Sequence, residues 1–223
     1  MIKSKEWNWE ILSSDGKKIW LEPSIYSYYL VERWKEMEMK DFLDLGCGLG
    51  RHTILFAKNN FNTYAFDLSH EAVIKTEEYA KKENLEIKAK EGDMLNLPYE
   101  DNSFDAILCF NVISHTDTEG FKKILQEINR VLRKEGEVYL TLGSKETWGF
   151  KQTDWPMVDE NTRIRMDEGP EKGVPHFYVD HDLIKELFKD FKIEKIFQVI
   201  DYHDVNGDTK TSYHYHMLIK KDF

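Results

Sequence analysis

Apolar and polar positions along this chain follow two periods, and the two periods take turns. "DFLDLG" is a short apolar run of the buried-strand type, and "RHTILFAKNN" follows it with helical spacing. "NTYAFDLS" reads as a second strand, Ser69 is placed to cap the helix "HEAVIKTEEYAKKEN", and "LEIKAKEGD" alternates as a third strand. "FDAILCFNV" is a fourth, buried strand. The clearest helix is "TEGFKKILQEINRVLRKEG", where Phe121, Ile124, Leu125, Ile128, Val131 and Leu132 form an apolar stripe and Gly136 is expected to stop it. "EVYLTLGS" is a fifth strand. Ahead of all these, "EPSIYSYYLVERWKEMEMK" predicts a helix capped by Ser24, with Ile25, Tyr28, Tyr29 and Met37 at helical spacing.

Strands separated by helices of this length imply parallel pairing through right-handed crossovers, which is an α/β doubly wound sheet. Such sheets bind ligands at the carboxyl ends of their strands. That rule singles out Leu45–Gly50, Asp67, Asp93 and Asn111–His115, each directly after an expected strand. From Lys145 to Phe177 both periods lapse, while Trp148, Trp155 and three prolines crowd the segment. A connection this long inside a compact domain is usually functional, so it reads as a lid or insertion. A short helix, "DHDLIKELFKD", follows, and then a hairpin whose turn is "VNGD".

Composition narrows the function classes. The chain has 223 residues, 41% of them hydrophobic, which suits one domain with a real core. Its net charge of −10 argues against a sequence-independent grip on nucleic acid or on an anionic membrane surface. The only two cysteines, Cys47 and Cys109, form no CxxC motif and no disulfide framework. No apolar run has the length of a signal peptide core or a bilayer span, so a cytoplasmic location is the expectation.

The candidate chemistry starts at "DFLDLGCGLGRHT". A glycine turn between strand and helix lets a ligand approach the backbone and aims free N–H groups at it. Here Gly46, Gly48 and Gly50 give GxGxG, Arg51 stands where a dinucleotide fingerprint has its last glycine, and the Lys-Ser/Thr pair of a P-loop is missing. Asp44 precedes the turn. Asp67 ends the second strand, where an acid accepts hydrogen bonds from ribose hydroxyls. Asp93 and Met94 follow the third strand, an acid for an adenine amino group and an apolar side chain to cover the ring.

"LDLGCGLGRHT", "AFDLS", "EGDMLNLPYEDNSFDAILCFNVISH" and "EINRVLRKEGEVYLTL" together resemble the successive motifs of class I S-adenosylmethionine-dependent methyltransferases, over roughly residues 40–145. The resemblance implies a Rossmann-like seven-stranded sheet, mostly parallel, with a C-terminal antiparallel hairpin. It implies S-adenosyl-L-methionine as cofactor and S-adenosyl-L-homocysteine as product. By the resemblance, the turn of Gly46, Cys47, Gly48 and Gly50 faces the methionine part, Asp67 binds the ribose and Leu68 packs on the adenine, with Asp44 and Arg51 as further cofactor-binding candidates. Asp93 and Met94 hold its far edge, and Asn111 lies beside the sulfonium. "GLGRH" is also similar to small-molecule methyltransferases of the tellurite-resistance type. On this reading the single domain divides into an N-terminal cap segment (1–39), a cofactor-binding core (40–144), a lid or insertion (145–178), and a C-terminal helix and hairpin (179–223).

Methyl transfer needs alignment more than acid–base chemistry, and a base only where the acceptor loses a proton. His115 is the candidate base, with a structural histidine as the other reading. "NVISHT" lacks the Asn/Asp-Pro-Pro-Tyr sequence common in methyltransferases of amino groups on bases or glutamine, and no cysteine cluster suits arsenic. The expected acceptor is a small molecule, apolar or cationic, under an aromatic cap. A protein or RNA acceptor, a cofactor-binding regulator and a nucleotide-dependent oxidoreductase are the competing readings. With Asn206-Gly207 as the hairpin turn, His214 faces Val199, His216 faces Phe197 and His203 faces Lys210. His203 then lies roughly 13 Å along the sheet from His214, which excludes a three-histidine metal site from the hairpin alone. A site sharing His176 or His181 stays open, and no metal is expected.

Overall fold

The computed structural model describes residues 4–7, 9, 20–205 and 208–222. The expected Asn206-Gly207 turn lies outside them. The elements, in chain order, are α1 (Ile25–Glu36), β1 (Asp41–Leu45), α2 (Arg51–Lys58), β2 (Asn62–Asp67), α3 (His70–Lys82), β3 (Lys88–Glu91), β4 (Phe104–Cys109), α4 (Thr118–Val131) and β5 (Leu132–Ser144). They continue as β6 (Met157–Asp159), β7 (Thr162–Ile164), β8 (Pro175–Val179), α5 (His181–Leu187), β9 (Lys192–Val205) and β10 (Asp208–Lys220).

Strands β3, β2, β1, β4 and β5 lie side by side and parallel, with the order reversing between β1 and β4. Strand β10 adds antiparallel to β5, and β9 to β10, which completes a seven-stranded sheet with an antiparallel edge. The hairpin register is the expected one: His214 pairs with Val199, His216 with Phe197 and Lys210 with His203. Strand side chains alternate between two cores. Leu43, Ile107, Cys109, Val138 and Leu140 pack on α4 and α5, while Phe42, Ala106, Leu108 and Tyr139 pack on α1 and α2.

Three sequence expectations need correction. Ser24 does cap α1, accepting from Tyr26 N–H, but the helix buries Leu30, Val31 and Trp34. Ile25, Tyr28, Tyr29 and Met37, the expected stripe, are exposed. The rotation is set by Trp34, whose indole N–H donates to buried Glu137 at 2.9 Å, with Arg33 making two further bonds to the same carboxylate. Helix α4 ends at Val131, not at Gly136, because Leu132 turns extended and pairs with Phe104. Its apolar stripe is buried as expected. Ser69 occupies the cap position of α3 without a side-chain cap bond. Its own N–H is held instead by Asp67.

The lapsed segment is folded. Strands β6, β7 and β8 form an antiparallel ribbon inside it. Strand β8 joins β5 at Gly143 and Ser144, just past the last β4 pairing at Leu140. It therefore occupies the edge of β5 that β4 leaves free, above the carboxyl end of β4. The N–H of Phe177 donating to Ser114 O at 2.8 Å ties it to the loop that follows β4.

Candidate active site

The β1–α2 turn is built on three left-handed glycines, Gly46, Gly48 and Gly50, with φ of 78°, 54° and 84°. At Gly46 a Cβ would lie 2.2 Å from the Val112 side chain, so only glycine fits there. The N–H groups of Gly46 and Cys47 are spent on Phe66 O, and Gly48 N–H donates to Asp67 Oδ2 at 2.9 Å. Ser69 N–H donates to the other Asp67 oxygen, also at 2.9 Å. Burial raises the Asp67 carboxyl, and these backbone bonds partly offset that rise.

A cavity of about 850 Å³, counted out to its mouth, opens over this turn. Its walls include Gly46, Cys47, Gly48, Arg51, Asp67, Leu68, Asp93, Met94, Asn111 and His115, so ten of the expected residues converge on one space. Asp44 and Gly50 do not line it. The Asp44 carboxylate is buried behind the turn and accepts from Thr53 Oγ at 2.6 Å, and burial pushes it up to about 6. Gly50 is the N-cap of α2, packed against Thr76. Asn111 holds φ of +57°, strained for a residue with a side chain, and both its N–H and its Oδ1 bond Thr141 Oγ.

The N-terminal tryptophans Trp7 and Trp20 wall a second cavity. They also wall the first cavity. Trp9 covers Gly48, and Trp7, Trp9 and Trp20 form one ring cluster. The guanidinium of Arg51 lies 4.9 Å from the Trp20 ring and 5.4 Å from Phe110. The indole N–H groups of Trp7 and Trp9 are buried without an acceptor among the described residues. Two orphaned donors beside a glycine cradle and a carboxylate fit a ligand that brings oxygen acceptors and hydroxyls.

The second cavity, about 1330 Å³ to its mouth, adjoins the first and shares Trp7, Trp20, Asn111 and His115 with it. The insertion supplies much of its wall, including Trp148, Trp155, Arg165, Glu171, His176 and Tyr178. Glu171 and Arg165 come from the stretch that carried no period, and the sequence held no signal for them beyond that segment's length. The His115 ring is nearly enclosed. Burial, with the neighbouring His176 and Arg165 charges, pushes it down to about 3, so it is neutral and a weak base. Burial alone would raise Glu171, yet the His176 contact and the Arg165 charge outweigh it and hold this carboxyl at about 2. His203 and His214 line the same cavity, whereas His216 is buried against Tyr139 and Phe197 and does not.

A family described as "Methyltransferase domain" matches residues 42–136, the span that carries every strand end lining the first cavity. That stretch, a little under half of the chain, is similar to a methyltransferase domain. The chain is 33% identical to the demethylmenaquinone methyltransferase of Lactobacillus johnsonii, over 55% of this chain and 52% of that one. The chain spans about half the length of the curated relatives it matches. Among solved structures it resembles a protein of Pyrococcus horikoshii, with a TM-score of 0.69 at 22% identity, covering 95% of this chain and 93% of the other. It also resembles the 1,6-didemethyltoxoflavin-N1-methyltransferase of Burkholderia thailandensis, solved with 1,6-didemethyltoxoflavin and S-adenosylhomocysteine bound. There the TM-score is 0.64 at 16% identity, covering 94% and 83%. No helix among the described residues is long and apolar enough to cross a membrane.

Proposed function

We propose that this chain transfers the methyl group of S-adenosylmethionine to a small-molecule acceptor. The observation that carries the reading is the junction of the two cavities at Asn111 and His115. Bound in the first cavity, the cofactor supplies an electrophilic methyl on a sulfonium. The Asp67 carboxylate, preset by Gly48 and Ser69, is the acceptor for two ribose hydroxyls. Leu68 and Met94 flank the base, and Asp93 meets its edge. Gly46 borders the methionine part, and Asn111 borders the junction. Alignment of this kind is worth roughly 7–11 kcal/mol of barrier in an in-line displacement.

Two features support a small acceptor. The second cavity is walled by β8 and the loops of the insertion and lined by aromatic rings, which suits a compact ring system over a polymer. The net charge of −10 counts against RNA. The cationic acceptor loses support, because Lys210 and Arg165 already lie 4.1 and 5.6 Å from the Trp148 ring. The test is incubation of the pure protein with methyl-labelled cofactor and a cell extract, followed by separation of small molecules, protein and RNA. Label in the small-molecule fraction supports the reading, and label confined to protein or RNA overturns it.

A further inference from the structure

His115, Glu171 and His176 come from three separate segments: the loop after β4, the loop before β8, and β8 itself. Their ligating atoms all lie within 4.8 Å of one another. Both imidazole Nε2 atoms face the same carboxylate oxygen, Glu171 Oε1, at 3.8 Å from His115 and 3.6 Å from His176. Metal–ligand bonds of about 2.1 Å in tetrahedral array set ligand atoms roughly 3.4 Å apart. The two histidine–Glu171 separations therefore need to close by only a few tenths of an ångström around a common ion, and the two imidazoles by no more than about 1.4 Å.

The outer contacts are those of a metal site. His176 Nδ1 lies 3.1 Å from Val174 O, which puts the ring proton there and leaves the Nε2 lone pair directed at the cluster. Arg165 holds the other Glu171 oxygen and also pairs with Asp167, so the carboxylate keeps its orientation with one oxygen free. The cluster sits where the two cavities meet.

We propose that His115, Glu171 and His176 bind one divalent transition metal ion, facing the acceptor cavity. Two imidazoles and a single carboxylate favour zinc, iron or cobalt over magnesium or calcium, which take oxygen ligands. Three protein ligands leave at least one position open. Building on the proposed methyl transfer, the acceptor is an oxygen nucleophile, a hydroxyl or enol that enters that position. Its O–H proton leaves to solvent. The new O–C bond forms as the sulfonium C–S bond breaks, and S-adenosylhomocysteine is released. A metal ion bound there would lower the proton affinity of such an oxygen.

The experiment adds Co²⁺ to the chelator-treated full chain and follows its visible ligand-field absorption by titration. One equivalent with tetrahedral or five-coordinate bands is expected, with affinity at least tenfold weaker in Glu171→Gln and His176→Ala and unchanged in His181→Ala. Absence of a stoichiometric site in the unmodified chain overturns the proposal, as does equal binding by Glu171→Gln. The unmodified chain decides even where a variant fails to fold. Calorimetry of S-adenosylhomocysteine with the metal-free protein reports on the methyltransferase reading separately, so either can fail alone.

Discussion

The backbone N–H of Gly48 donates to the side chain of Asp67 at 2.9 Å, joining the turn after β1 to the end of β2. The bond is made before any ligand arrives, so the carboxylate waits in place and loses little freedom on binding. Asp67→Ala is expected to weaken S-adenosylhomocysteine at least tenfold, about 1.4 kcal/mol. Isothermal calorimetry checks it, and an unchanged affinity would remove Asp67 from the ribose site.

Gly46 carries both a left-handed φ and a Val112 side chain against its missing Cβ. Gly46→Ala is expected to cost about 2–4 kcal/mol in strain and overlap. For a chain of this size that is a melting temperature lower by roughly 4–16 °C. A thermal melt without ligand measures it, and a loss of cofactor affinity with no change in Tm would mean the turn relaxes elsewhere.

Glu137 is fully buried in the middle of the sheet and accepts from Arg33 and Trp34 of α1. Glu137→Ala leaves the indole N–H unpaired and strands part of a guanidinium. The expected loss is about 2–4 kcal/mol, below the range for fully buried pairs because Arg33 keeps some contact with water. Urea unfolding reads the value. A loss under 1 kcal/mol would show that α1 is positioned by its apolar face alone.

Stability should fall in mild acid, and His216 is one cause. Burial, with the charge of His214, pushes its imidazole from 6.5 down to about 4. The folded state then binds its proton less readily than the unfolded one, so stability is full above about 6.5 and declines as the pH drops toward 4. Asp44, raised to about 6, acts with the opposite sign between its folded and ordinary values. The His216 share is therefore read as the difference between the parent and His216→Gln, whose Tm should fall less steeply over that interval. Parallel curves would sink the assignment.

What could be read from the chain in advance was whatever depends on local periodicity. The strand ends, the glycine turn and the hairpin register follow from spacing two, spacing three to four, and an Asn-Gly pair. The α1 face did not, because aromatic residues at helical spacing look alike whether they face core or water, and it was the distant Glu137 that chose Trp34. The end of α4 was misplaced because a pairing partner, Phe104, outweighed the glycine signal. Strands of three residues, such as β6 and β7, are too short to show a period. Asp44 and Gly50 belong to the motif but support it from behind, a distinction that spacing does not carry.

The ribbon of β6–β8 hangs from the last two residues of β5 and from the loop after β4, while the cofactor cradle belongs to β1, β2 and β3. The wall that would select the acceptor is thus a separate inheritance from the wall that would hold the methyl donor. Exchanging residues 145–178 for the corresponding stretch of a similar methyltransferase could redirect the chemistry to a new molecule while the glycine turn, Asp67 and Asp93 stay untouched, making this segment the natural graft point for re-engineering.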